Sequence, residues 1–150
     1  MMIESHSYEQ TFEIARQVAK NARAGDVVAL SGDLGVGKTV FAKGFAHGLG
    51  IDEPITSPTF TLINEYFGGD LPFYHFDVYR LGDADALADM GGAEYLRGYG
   101  VCLVEWAEMA AAALPPETLW VTIEKDLAKG ENYRKIKISQ GEIMRENFSH

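Results

Sequence analysis

The segment Val27-Val-Ala-Leu-Ser-Gly-Asp-Leu-Gly-Val-Gly-Lys-Thr39 decides the fold class of this chain. Residues 27–30 are apolar on both faces, as expected of a strand that helices cover on both sides. The next residues have the spacing Gly32-x4-Gly37-Lys38-Thr39, which matches the phosphate-binding P-loop. Because this pattern directly follows a buried strand and opens a helix, the sequence predicts an α/β fold built around a phosphate site.

The residue types of the loop favour a nucleotide bound with Mg²⁺, and ATP is the nucleotide that we expect. Glycine allows backbone N–H groups to turn inward around phosphates, where a side chain would block the approach or forbid a positive φ angle. Lys38 adds a point charge, the helix N-terminus adds unpaired donors, and the Thr39 hydroxyl is placed to bind Mg²⁺. The residues expected to contact the phosphates are Leu34, Gly35, Val36, Gly37, Lys38 and Thr39.

Elements on both sides of the loop predict a three-layer P-loop NTPase fold in one domain over residues 1–150, with residues 142–150 as a loose tail. Ser7 and Gln10 form a capping box before the first helix, and Gly44 and Gly48 allow the helix after the loop to pack closely. The predicted sheet is mostly parallel, with an antiparallel hairpin insertion. The predicted helices are residues 8–22, 41–49 and 107–113, and the predicted strands are residues 27–30, 60–67, 73–79, 101–104, 119–123 and 135–138.

Composition limits the classes of function. With 47% apolar residues among 150, the chain can bury the core of one domain, and its single cysteine, Cys102, indicates a reducing compartment. The first twenty residues contain no continuous apolar stretch, so we expect a cytoplasmic protein without a membrane segment. The net charge of −9 opposes tight direct binding of DNA or RNA. A basic run near the C-terminus is interpreted as a solvated face and comprises Lys125, Lys129, Arg134, Lys135 and Lys137.

Two carboxylates are candidates for the magnesium shell that a P-loop requires. Glu105 ends the apolar run of residues 101–104, which would carry it to the carboxyl edge of the sheet, where open α/β folds bind ligands. Asp77 shares a predicted strand face with His75 and could bind the metal or orient water. The alternatives are an exposed strand-end carboxylate for Glu105, and a structural pair with Arg80 or His75 for Asp77.

Three further features have two interpretations each. The segment Thr56-Ser-Pro-Thr-Phe-Thr61 is either a switch loop whose hydroxyls, including that of Thr59, respond to the nucleotide, or a turn that enters a strand. Trp106 is either an aromatic at the edge of the core or a platform near the nucleotide. His75 is interpreted as a packed strand residue rather than as a catalytic base.

Taken together, these residues resemble the TsaE family, also called YjeE, the small ATPases of tRNA threonylcarbamoyladenosine biosynthesis. The resemblance covers most of the chain, and its ordered set of motifs is far more specific than a P-loop alone. The residues that carry it are Thr11, Gly32-Asp-Leu-Gly-Val-Gly-Lys-Thr39, Ser57-Pro-Thr-Phe-Thr61, His75-Phe-Asp-Val-Tyr-Arg80, Glu105-Trp106 and Leu114-Pro115.

The resemblance implies a seven-stranded α/β ATPase that hydrolyses ATP slowly and only together with two partner proteins, TsaB and TsaD. TsaD carries the transferase chemistry, and tRNA is reached only through this complex. The resemblance also assigns roles to single residues. It implies that Lys38 binds phosphate, that Thr39 and Glu105 bind Mg²⁺, and that Asp77 assists the metal or the attacking water. It places Thr11 near the base or ribose and Arg134 as the basic residue at the nucleotide. Thr59 and Trp106 respond to nucleotide state and face the partners.

Other P-loop proteins remain as alternatives. A small-molecule kinase would need an arginine-bearing lid, and between the loop and the tail only Arg80 and Arg97 occur, far apart. A GTPase is disfavoured because the chain has no Asn-Lys-x-Asp segment that reads guanine. A non-hydrolysing, nucleotide-gated scaffold would have the same loop and the same partners, and the sequence leaves it open.

Overall fold

The computed structural model of the chain describes residues 1–32, 37–56, 58, 63–81, 84–89 and 91–140. The strands are β1 (Met2–Ser5), β2 (Val27–Ser31), β3 (Ile63–Tyr66), β4 (Phe73–Asp77), β5 (Val101–Glu105), β6 (Leu119–Lys125) and β7 (Arg134–Gln140). The helices are α1 (Tyr8–Lys20), α2 (Lys38–Gly48), α3 (Val78–Leu81), α4 (Ala84–Asp89) and α5 (Gly92–Leu96), with 3₁₀ helices at Ala107–Ala113 and Leu127–Lys129. The described strands form one sheet in the order β1-β7-β6-β2-β5-β4-β3.

The sheet is mixed rather than mostly parallel. Its central pairs, β6–β2, β2–β5 and β5–β4, are parallel, whereas β1–β7, β7–β6 and β4–β3 are antiparallel. Parallel pairing requires a crossover of a dozen or more residues, and the connections β3–β4 and β6–β7 are too short for one. The α/β class and the antiparallel hairpin are therefore confirmed, and the prediction of a mostly parallel sheet is wrong.

Strand β1 is absent from the sequence-based predictions. Met2 and Glu4 are exposed, Ile3 is half-buried and Ser5 is buried, so only two of four positions turn towards the protein. Such a short run with a polar buried residue has almost no periodic signal. The strand exists because it pairs with β7 from the other end of the chain, where Ser5 faces Arg134.

One of the two bonds of the capping box predicted before α1 is confirmed, whereas the second bond reaches His6 rather than the backbone of Ser7. The Ser7 hydroxyl accepts a hydrogen bond from the backbone N–H of Gln10 at 3.1 Å, and Gln10 Oε1 accepts one from the backbone N–H of His6 at 2.7 Å. These bonds satisfy donors that have no partner within the helix. The helix ends at Lys20, two residues before the predicted end.

Two other predicted elements differ from the structure. Strand β4 ends at Asp77, and Tyr79 belongs to helix α3, so it does not continue the strand face that carries His75. The predicted helix over residues 107–113 is a 3₁₀ helix that is kinked at Ala110, where φ is −132°.

Helices α1 and α2 pack closely at two glycines of α2, as predicted. A Cβ atom at Gly44 would lie 2.3 Å from the carbonyl oxygen of Phe12, and one at Gly48 would lie 2.4 Å from that of Arg16. Both distances are far inside van der Waals contact with the α1 backbone. The interhelical distance on this face of the sheet therefore depends on the absence of two side chains.

Gly44→Ala should destabilise the protein, because its methyl group would meet the α1 backbone. Overpacking of this kind costs about 1–3 kcal/mol, and the better helix propensity of alanine offsets up to about 1 kcal/mol. We expect Tm in thermal unfolding to fall by several degrees. Gly68→Ala is the matched control, since its methyl group would have only an ordinary contact of 3.5 Å with Glu53. Equal Tm values for the two variants would contradict the close packing.

The basic run predicted as a solvated face is exposed at three of its five residues, whereas Arg134 and Lys135 are half-buried. Lys125, Lys129 and Lys137 are exposed, and the Nζ atoms of the last two lie 3.7 Å from Glu4 Oε2 and 3.3 Å from Glu124 Oε1. Exposed pairs of this kind contribute little to stability. Within the described ranges, no helix is both long and apolar enough to span a bilayer.

Candidate nucleotide site

Three parallel strands bring their carboxyl ends together near the start of α2. In the strand register, Glu105 at the end of β5 is paired with Leu30 of β2 and with Asp77 of β4. Strand β2 ends at Ser31, and α2 begins at Lys38. The two predicted acids therefore lie at the edge of the sheet where open α/β folds bind ligands.

The N-terminus of α2 has the features of an anion site. Gly37 is its N-cap residue and has a left-handed backbone with φ of 109°. Apart from its chain neighbours and the backbone of α2, no atom of the described residues lies within 4 Å of where its Cβ would be. Among the described residues, no side chain caps this helix end, and its first turn has no acidic residue. The unpaired backbone N–H groups and the positive end of the helix dipole suit a phosphate here.

Lys38 is buried at this helix end, with 6% of its surface exposed. Its Nζ donates a hydrogen bond to the carbonyl oxygen of Gly32 at 2.7 Å and lies 3.3 Å from the centroid of the Trp106 ring. These contacts partly compensate for the removal of the charge from water. The ammonium group is therefore fixed beside the glycine loop.

Trp106 lies outside the hydrophobic clusters of the described core and is half-buried. Its φ of 59° is the one positive value among the described non-glycine residues, a conformation that costs about 1–2 kcal/mol. The ammonium group of Lys38 lies over its ring. The ring also packs against that of Tyr79, with 5.0 Å between the two centroids. A strained backbone that places an aromatic ring on the P-loop lysine favours the platform interpretation over the core-edge one.

Glu105 is a buried carboxylate with a histidine partner. Glu105 is 5% exposed and His75 is 1% exposed. His75 Nε2 lies 2.5 Å from Glu105 Oε2. The alternative of an exposed strand-end carboxylate is therefore wrong. His75 is packed as predicted, with its ring stacked on Phe73 at a centroid distance of 6.0 Å, but its bond to Glu105 was not predicted.

Asp77 is half-buried and contacts the backbone of the next element. Its Oδ1 accepts a hydrogen bond from the backbone N–H of Tyr79 at 3.1 Å, at the start of α3. The alternative of an Asp77–His75 pair is wrong, because His75 Nε2 bonds to Glu105 and Nδ1 has no partner among the described residues. The side chain of Arg80, the other suggested partner, lies outside the described part of the structure.

A small cavity of about 120 Å³ lies between α1, α2 and the start of β7, and Gly37 forms part of its wall. It brings together Thr11, Gly37 and Arg134, three residues that were predicted near the nucleotide. Tyr8 and Asn132 also line it, and the sequence analysis missed both. Tyr8 is a largely exposed aromatic in the first turn of α1, and that position could have indicated a ligand contact.

Hydrogen bonds tie the walls of this cavity to the sheet and to the loop before β7. The hydroxyls of Thr11 and Ser5 lie 2.7 Å apart, and both residues are buried. Arg134 Nη1 donates to the carbonyl oxygens of Glu131 at 2.9 Å and of Tyr133 at 2.7 Å. Thr11 therefore anchors α1 to β1, and Arg134 shapes the loop that closes the cavity.

Of the remaining predicted site residues, Thr39 is described and the others lie outside the described residues. Thr39 lies exposed in the first turn of α2. In the segment of the predicted switch loop, residues 57 and 59–61 lie outside the described residues. The same holds for four residues with predicted nucleotide contacts, which stay predictions: Leu34, Gly35, Val36 and Thr59.

The described residues contain no group of three or more His, Cys, Asp or Glu side chains that could bind a metal ion by themselves. Mg²⁺ typically takes one or two carboxylates together with phosphates and water. Glu105 and Asp77, paired at the ends of β5 and β4, and the hydroxyl of Thr39 in the first turn of α2 have the chemistry of that smaller set. A magnesium ion at this position would need phosphate oxygens as further ligands.

A family model described as "Threonylcarbamoyl adenosine biosynthesis protein TsaE" matches residues 5–136. The chain belongs to the TsaE family. The TsaE match includes every described candidate residue, from Thr11 to Arg134.

Relatives and a solved structure extend this similarity. The chain is 51% identical over 128 residues to a Bacillus subtilis protein named tRNA threonylcarbamoyladenosine biosynthesis protein TsaE. The aligned region covers 85% of this chain and 78% of the relative. A TsaE protein of the same name from Treponema pallidum is 45% identical over 119 residues, with 79% of this chain and 87% of the relative covered. The crystal structure of Bacillus subtilis YdiB is similar with a TM-score of 0.75 at 42% identity, covering 99% of this chain and 90% of that chain.

Proposed function

We propose that the chain is a magnesium-dependent ATPase that supports threonylcarbamoyladenosine modification of tRNA through nucleotide-dependent association with TsaB and TsaD. The observation that carries this proposal is the buried Lys38 at the N-terminus of α2, whose Nζ lies 3.3 Å from the ring of Trp106, the residue that follows the buried Glu105. Family membership adds the pathway, because the names of the relatives refer to threonylcarbamoyladenosine biosynthesis.

In this proposal the site has two parts that meet at Gly37. Phosphates bind at the N-terminus of α2, where Lys38 supplies the positive charge and backbone N–H groups supply directed donors. The base and ribose lie towards the cavity that Thr11 and Arg134 line. The phosphate loop residues 34–36 complete the cradle in this proposal.

The acidic side of the site serves the metal and the attacking water. Thr39 and Glu105 bind Mg²⁺, and Asp77 assists the metal or orients the water. When bound, the ion neutralises charge on the transferring phosphate. The buried position of Glu105 supports this role, because a carboxylate in a poorly solvated site attracts a cation more strongly than one in water.

Lys38 and Trp106 connect the phosphate site with the surface. A phosphate is a stronger partner for the ammonium group than the Gly32 carbonyl and the Trp106 ring, because both groups of that pair are charged. Nucleotide binding therefore changes the surroundings of Trp106, which packs against the exposed Tyr79. Together with Thr59 of the loop segment, this surface reports nucleotide state to the partners, and hydrolysis resets TsaD between catalytic cycles. The net charge of −9 supports indirect contact with tRNA.

A combined association and turnover measurement tests the proposed function. The purified chain should bind immobilised TsaB and TsaD more strongly with ATP than with ADP or without nucleotide. It should release phosphate slowly alone and faster when both partners are added. Failure to associate, or association that ignores nucleotide, would reject the proposal. Nucleotide-dependent association without turnover would identify the non-hydrolysing scaffold instead, and phosphate transfer to a small molecule would identify a kinase.

A further inference from the structure

The pair formed by His75 and Glu105 has a geometry that packing alone does not require. In the β4–β5 register, His75 is opposite Leu103 and Asp77 is opposite Glu105, so the contact runs diagonally between neighbouring strands. The Glu105 carboxylate thus reaches back along the sheet to His75 Nε2 at 2.5 Å. Asp77, its direct neighbour, has its Oδ1 on the backbone of Tyr79.

The position of the imidazole ring is set by packing against Phe73 and by one polar contact. The two rings are nearly parallel, with an angle of 13° between them. A carboxylate only accepts hydrogen bonds, so the hydrogen of this contact is assigned to Nε2. Nδ1 is buried and has no hydrogen-bond partner among the described residues. The ring therefore directs its Nε2–H at Glu105.

This contact distinguishes the two oxygens of the Glu105 carboxylate. Oε2 accepts the hydrogen bond from His75, which leaves Oε1 as the oxygen available to a metal ion. A side chain that fixes a ligand carboxylate in this way lowers the cost of orienting it when the metal binds. It also compensates part of the cost of burying the charge of Glu105.

We propose that His75 is a positioning residue, whose Nε2–H orients the Glu105 carboxylate so that Oε1 meets the nucleotide-bound metal ion. The inference rests on the proposed function, since it needs a nucleotide and a metal at this site. It assigns His75 a role through Glu105 and no contact with substrate. From the sequence, His75 was expected to be a packed strand residue or a partner of Asp77, and a role towards Glu105 was not predicted.

Metal affinity measured without turnover tests the role of His75. Mn²⁺ binding is followed by electron paramagnetic resonance in the presence of a non-hydrolysable ATP analogue, and analogue affinity is measured separately in EDTA. His75→Phe keeps a flat ring against Phe73 but removes the donor, so Mn²⁺ affinity should fall roughly 10- to 100-fold. Analogue affinity in EDTA should stay unchanged. His75→Gln, which can place an amide N–H near the position of Nε2, should recover most of the loss.

The Glu105→Gln background separates positioning from a general effect on folding. In this background residue 105 carries no charge, so His75→Phe does not leave a buried carboxylate without a partner. If His75 acts through Glu105, adding His75→Phe to Glu105→Gln should not weaken Mn²⁺ binding further. A further tenfold loss in the double variant would overturn the inference. Wild-type Mn²⁺ affinity in folded His75→Phe would overturn it as well.

The same experiment distinguishes this inference from the function on which it rests. A wild-type chain that binds no ATP analogue would reject both. Wild-type binding of analogue and Mn²⁺, combined with unchanged Mn²⁺ affinity in His75→Phe, would reject the role of His75 alone.

Discussion

Lys38→Ala should weaken ATP binding by roughly 10- to 150-fold, the largest effect that we expect from a single change in this chain. Hydrogen bonds to charged groups contribute about 1.5–3 kcal/mol, which corresponds to this range of affinity. The buried position of Lys38 beside Gly32 means that no water-exposed lysine can replace its charge at the loop. Isothermal titration calorimetry with a non-hydrolysable ATP analogue and Mg²⁺ measures the loss.

Lys43→Ala is the matched control for this change, because Lys43 lies on the same helix α2 but is exposed. It removes the same net charge and should leave the affinity within about twofold, as exposed charges are screened by solvent and salt. An equal loss of ATP affinity in the two variants would mean that Lys38 acts only through the net charge of the protein and not through a direct contact with phosphate. Unfolding curves of both variants check that Lys38→Ala still folds without the contact to Trp106.

Glu105→Gln should retain nucleotide binding but lower metal-dependent turnover by roughly 100-fold, as expected when one preorganised charged group is lost from a reacting site. Glutamine keeps the size of the side chain and can still contact His75, so the fold and the packing of β5 should be preserved. Phosphate release in the presence of TsaB and TsaD, measured over a range of Mg²⁺ concentrations, gives both the rate and the metal dependence.

Glu94→Gln in α5 is the control for this second change, since Glu94 is exposed and should have no effect on turnover. Unchanged rate and magnesium dependence in Glu105→Gln would mean that Glu105 is not a metal ligand. Asp77→Asn would then be the next variant to measure, because Asp77 is paired with Glu105 in the strand register.

The parts of the fold that the sequence predicted correctly are those with local signals. The apolar run of residues 27–30, the glycine spacing and the helix after it are contiguous in sequence, and each constrains the next. Glu105 was found because a fully apolar strand must be buried and must end at the same edge as its parallel neighbours. The antiparallel pairs at β7 were not predicted, since the apolar pattern of a strand is the same in parallel and antiparallel pairs.

The contacts within the site were beyond the reach of sequence for a different reason. The bond between His75 and Glu105 depends on a diagonal register, and the contact between Lys38 and Trp106 depends on a left-handed backbone at the tryptophan. Neither the register nor that backbone angle has a signature in residue type. Asn132 was missed because it lies in a polar loop, where no periodicity indicates which side chains turn inward.

The pairing of β1 with β7 sets the order in which the site can be assembled during synthesis. Strand β1 is synthesised before β7 and can pair with it only once β7 has been made, because Ser5 faces Arg134 and Ile3 faces Ile136. A nascent chain therefore has the whole glycine loop well before it has the cavity beside Gly37, one wall of which includes Arg134. Premature termination before β7 would release a polypeptide that carries the phosphate motif, lacks the completed pocket and exposes an unpaired edge of β6.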